Sequence, residues 1–73
     1  MTKTEIKSYY TGLKSDARDA KTKKTLRILE SRSLRVIRDL SGPQIKPSLK
    51  KQALREHKKL ISITHSKTKS LPD

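Results

Sequence analysis

Seventy-three residues suffice for one small domain, and nineteen Lys and Arg against seven Asp and Glu give it a formal charge of +12, a surplus that favours polyanionic partners. With no Cys, neither a disulfide framework nor a thiolate metal site can brace the fold, and no apolar run reaches the roughly 20 residues that span a bilayer. Leu, Ile and Val supply 16 of the 73 residues and Phe none, just above the composition at which chains stay disordered, so the expected core is thin.

The N-terminal stretch lacks the apolar core of a secretory signal, which makes an intracellular protein the expectation. Its Ile6, Tyr9, Tyr10 and Leu13 recur at i, i+3, i+4 and i+7, the spacing of one helix face. Thr2 or Thr4 can cap this helix and Gly12 can stop it, so a short helix over residues 4–12 is predicted. That spacing also assigns both tyrosines to packing rather than to base stacking.

Residues 15–40 give the strongest helical signal. Ser15-Asp16 reads as a capped, acidic start, no Pro or Gly interrupts the run, and Ser41-Gly42-Pro43 closes it. At 100° per residue, Leu26, Leu29, Leu34, Val36, Ile37 and Leu40 share one side. Lys24, Arg27, Ser31, Arg32, Arg35 and Arg38 take the other, with Ile28 among them and Lys23 extending the surface. After a Gln44–Pro47 link, Ser48 suits an N-cap, and a third helix over residues 48–64 collects Leu49, Ala53, Leu54, His57, Leu60 and Ile61 opposite Lys51, Arg55, Lys58, Lys59 and Ser62. Residues 65–73 read as a flexible basic tail appended to a domain over residues 1–64.

The expected fold class is therefore all-α: a short N-terminal helix plus an antiparallel helical hairpin, completed by homodimerisation. A two-helix core is thin, and a second copy would shield Leu26, Leu29, Val36 and Leu60.

The basic faces carry the functional expectation. The charge is threaded through the apolar pattern rather than confined to one arm: residues 1–14 carry +2, residues 15–41 carry +4 and residues 42–73 carry +6. Guanidinium forks bind phosphate bidentately and stay charged at any relevant pH. Lys24, Arg27, Arg32, Arg35, Arg38, Lys51, Arg55, Lys58 and Lys59 are the candidate phosphate ligands, all turned to one electropositive platform. Asn is absent and Gln occurs only at positions 44 and 52, so adenine readout in a major groove is nearly missing. A duplex gripped through its backbone with little base specificity follows, double-stranded RNA being favoured over DNA. Such a protein could shield double-stranded RNA from processing enzymes or act as a small DNA-binding regulator. The alternative is a helical interaction subunit of a larger ribonucleoprotein or transcription complex, its apolar stripes docked on another protein.

Other chemistry finds little footing. His57 lies on an apolar helix side and His65 eight residues on, without Cys or acids at ligand spacing, so neither metal nor cofactor is expected. Ser31 and Ser33 have no histidine at helical spacing, the acids are scattered singly, and the two glycines form no phosphate loop. A non-enzymatic protein is the reading. Basic amphipathic helices can also lie on anionic lipid, but such helices carry Trp or Phe, and this chain has neither.

Overall fold

The computed structural model describes residues 2–71, and among these it is all-helical, with three helices and no strand. The helices are α1 (Lys3–Asp19), α2 (Lys23–Asp39) and α3 (Pro47–Thr68). Helices of 17, 17 and 22 residues are about 25, 25 and 33 Å long. Each exceeds the two shorter dimensions of the 41 × 18 × 14 Å Cα trace, so all three run lengthwise.

α1 is not the short helix that Gly12 suggested. A capping box starts it: Thr2 Oγ1 accepts from the Glu5 N–H at 3.2 Å, and the Thr2 N–H donates to Glu5 Oε1 at 3.0 Å. These bonds from Thr2 hold the exposed Glu5 carboxyl below its ordinary pKa. The helix then runs straight through Gly12 and through Ser15-Asp16, the expected start of the next one, because the apolar seam continues. Ile6, Tyr10, Leu13, Ala17 and Ala20 alternate at spacings of four and three and are all buried. Burying Leu13 and Ala17 offsets the roughly 1 kcal/mol that an interior glycine costs a helix.

The break comes at Ala20–Thr22 instead. Ala20 turns to extended backbone (φ −61°, ψ 138°) and Thr22 caps α2 by accepting from the Thr25 N–H at 3.3 Å. The expected helix over residues 15–40 is therefore the last turn of α1, a break, and the whole of α2. α3 likewise differs from its expected 48–64. It starts with Pro47 at its first position after Lys46, which caps without a side-chain bond, and it extends to Thr68. The expected tail thus begins inside a helix, and its last two residues, 72 and 73, lie outside the described residues.

One core joins all three helices. Leu26, Leu29, Val36 and Leu40 of α2 and its cap meet Ala53 and Leu60 of α3 and the α1 seam, with Ile37, Ile45, Leu49, Ile63 and Leu71 packed at the margin. Leu26, Leu29, Val36 and Leu60, the residues a second copy was to shield, are already covered within one chain. Leu34 and Leu54 are the reverse case: both were assigned to apolar seams, and they are 54% and 39% exposed. Leu34 lies five residues from Leu29 and two from Val36, off the three-and-four rhythm; Ser33 occupies that core slot. Tyr10 is fully buried, whereas Tyr9, also expected to pack, stands at the rim and meets Tyr10 edge-on with ring centroids 6.0 Å apart.

Candidate nucleic-acid interface

α2 turns a seam inward, and everything on its opposite side is set by that choice. Leu26, Leu29, Ser33, Val36 and Leu40 face the other helices. At 100° per residue, Lys24, Arg27, Ile28, Ser31, Arg32, Arg35 and Arg38 then occupy an arc of about 140° centred on the far side. These seven residues line a single open concavity of about 470 Å³. Along the helix, Lys24 and Arg27 precede the two shorter side chains, Ile28 and Ser31, and Arg32, Arg35 and Arg38 follow them.

Among the described residues none of these five cations forms an ion pair, although Glu30 and Asp39 belong to the same helix. Lys23, half-buried at the start of α2, is engaged in an interaction of its own. Lys24, Arg27, Arg32, Arg35 and Arg38 are brought to one concavity, and Lys23, which the sequence added to this surface, does not line it.

The lysine face of α3 divides. Lys51, Arg55 and Lys58 surround exposed Leu54 in a second concavity that shares no residue with the first. Lys59 is diverted: its Nζ sits 3.2 Å from Glu56 Oε2, while Lys14 Nζ of α1 holds Oε1 at 3.0 Å. Burial alone would raise the Glu56 carboxyl, but the two ammonium groups outweigh it and hold the group below its ordinary pKa. Lys59 is therefore tied to the carboxylate that Lys14 joins to α1, and among the described residues it is the one candidate phosphate ligand held in this way.

Ser33 has the histidine that helical spacing could not supply. His57 reaches it from α3, with Nδ1 2.6 Å from Ser33 Oγ. Tyr10 completes the cluster by donating to the Ser33 carbonyl at 3.2 Å and accepting from Ser33 Oγ at 2.7 Å. Each hydroxyl has one proton, so Ser33 Oγ accepts at its remaining lone pair and His57 Nδ1 carries the hydrogen. Burial pushes the Tyr10 phenol pKa up against the lowering effect of its Ser33 bond, which keeps it a donor. Ser33 is 0% exposed and gives its proton to Tyr10, not to the imidazole. The cluster ties α1, α2 and α3 together, and no substrate carbonyl can reach its oxygen. The signal for it was present in the sequence: a serine in a seam slot must find partners when buried.

Elsewhere, no helix among the described residues is long and apolar enough to cross a membrane. Fold and site together define a class: a small all-helical chain whose second helix presents an uncompensated cationic face. No family model, curated protein or solved structure matches this chain.

Proposed function

We propose that this protein binds the phosphate backbone of a nucleic-acid duplex and catalyses no reaction. The supporting observation is the concentration of Lys24, Arg27, Arg32, Arg35 and Arg38 around one concavity, with no carboxylate partner among the described residues. The five cations are solvent-exposed, and a folded chain carrying +12 repels itself. A polyanion relieves that repulsion. Lys51, Arg55 and Lys58 of α3 provide a second, smaller set of phosphate contacts, with α2 and α3 running antiparallel across their short link. Few aromatic side chains are exposed for base stacking, since Tyr10 is buried and Tyr9 stands at the rim, which favours a duplex over single strands.

Titration of duplex DNA, duplex RNA and single strands by fluorescence anisotropy tests this reading. Five to eight phosphate contacts give log K against log salt a slope between about −4.5 and −7 on B-form DNA. A slope near −1, or no binding to any nucleic acid, removes the proposal.

The second reading, a helical subunit of a larger complex, is favoured by the exposure of Ile28, Leu34 and Leu54. A homodimer would rest on the same three residues, because the seams are already covered within one chain. Sedimentation that gives a dimer for the intact chain and a monomer for Leu34→Lys supports that arrangement; a monomer in both cases excludes it.

A further inference from the structure

The concavity on α2 has a form that a purely electrostatic grip does not require. Its cations stand in two banks, Lys24 and Arg27 toward the N-terminus, and Arg32, Arg35 and Arg38 toward the C-terminus, with Ile28 and Ser31 low between them. Ile28 is 46% exposed at the centre of this charge. Ser31 is exposed, and its hydroxyl has no hydrogen-bond partner among the described residues. All seven residues come from one helix, and the two helices behind it pack on the opposite arc. The basic arc is a ridge belonging to α2 alone, and the α3 cations line a separate concavity.

The grooves of DNA and RNA duplexes differ in whether they admit a single helix. A helix with its side chains is about 10–12 Å across, and the major groove of B-form DNA is about 12 Å wide. The major groove of A-form RNA is deep and too narrow for side chains to read, and its minor groove is shallow. From Lys24 to Arg38 the ridge rises about 21 Å, the length of roughly six base pairs at 3.4 Å each.

We infer that α2 enters the major groove of B-form DNA, a conclusion that rests on the phosphate-binding reading above and specifies its substrate class. The short floor lets the helix axis approach the base edges while the long cations reach the phosphates on both walls. Arg27, Arg32 and Arg35 take phosphates, and Arg38 with Lys24 holds the two ends. At the floor, the Ser31 hydroxyl can donate to or accept from a base edge, and Ile28 meets thymine methyl groups. The expected preference is for B-form DNA over RNA, with only slight selectivity among DNA sequences. The slight preference for RNA read from the sequence gives way to DNA on this inference.

The test uses the intact chain and four short probes of one sequence: duplex DNA, duplex RNA, single-stranded DNA, and duplex DNA whose cytosines carry glucosylated 5-hydroxymethyl groups. The glucose fills the major groove without changing the phosphate charge. Insertion of α2 gives binding at least about tenfold tighter to plain duplex DNA than to duplex RNA, and a similar loss on the glucosylated duplex. Ser31→Leu, a neutral change on an exposed helix face, raises the floor and weakens duplex DNA binding with helicity retained by circular dichroism. Equal affinity for DNA and RNA duplexes, or for plain and glucosylated DNA, overturns the insertion while leaving phosphate binding standing. Binding to none of the four probes overturns the underlying reading instead.

Discussion

The two faces of α2 treat their polar groups in opposite ways. Inward, Ser33 is fully buried, and its hydroxyl and carbonyl are shared among Tyr10 and His57 at 2.6 to 3.2 Å. Outward, five cations stand without an ion pair among the described residues. No buried side-chain nitrogen or oxygen in the described residues lacks a partner. A polar group with a structural role has its bonding capacity used up by the fold; one kept for a ligand has that capacity open. The same distinction divides α3, where Glu56 and Lys59 are paired and Lys51, Arg55 and Lys58 are not.

Substitutions on the two sides should therefore separate affinity from stability. The largest effect is expected outward. Replacing Arg32, Arg35 and Arg38 together with Ala removes three solvent-exposed ionic contacts of about 1 kcal/mol each, which lowers duplex affinity roughly 100-fold. The thermal midpoint should stay put or rise as self-repulsion falls. Calorimetry beside anisotropy reads both quantities, and an equal loss in the two would erase the distinction between the faces.

Inward, Ser33→Ala leaves Tyr10 and His57 without their shared partner and should cost about 1–3 kcal/mol. For a domain of this size that lowers the midpoint by at least about 4 °C, while affinity measured well below the midpoint is unchanged. Denaturant melts of Ser33→Ala and Tyr10→Phe locate the effect in the cluster.

A smaller, pH-dependent effect belongs to Glu56. Its carboxyl is held below its ordinary pKa by Lys14 and Lys59 against the cost of burial. A depressed folded pKa contributes stability that is complete above the unfolded value and is lost as pH falls through the folded one. Midpoints should thus decline as pH drops below about 4.5, and Glu56→Gln should flatten part of that decline. Glu5 shifts in the same direction, so some acid sensitivity remains in the variant. A decline of unchanged steepness in Glu56→Gln would show that the ion pairs contribute nothing.

The smallest effect tests α1. A Cβ added at Gly12 meets nothing within 4 Å, and the residue has no positive φ. Gly12→Ala should raise stability by about 0.5–1 kcal/mol. Loss of stability would mean that α1 does not run continuously past this position.

Much of this organisation was legible from residue spacing. The all-helical class follows from the three-and-four rhythm, and burial of Leu26, Leu29, Val36 and Leu60 follows from their shared side. Gathering of Lys24, Arg27, Arg32, Arg35 and Arg38 follows from the same wheel. Helix boundaries were less legible, because Gly12 looked like a stop and Ala20–Thr22 contains neither Pro nor Gly. Tertiary packing decided both: the α1 seam gains by continuing to Ala20, and only a break there brings the two seams to one core. Leu34 and Leu54 were misplaced because hydrophobicity alone drew them inward, although Ser33 held the slot beside Leu34. The Ser33–His57 contact joins two helices 24 residues apart, and spacing within one helix carries no information about it. The diversion of Lys59 was half visible, since Glu56 stands three residues before it; the contribution of Lys14 from α1 was not.

Salt dependence of duplex DNA binding, measured in parallel for the unaltered chain and for the variant lacking Arg32, Arg35 and Arg38, tests the central claim most directly. Three phosphate contacts fewer make the slope of log K against log salt shallower by about 2.7. Parallel lines for the two proteins would show that these arginines touch no phosphate, and would contradict the account.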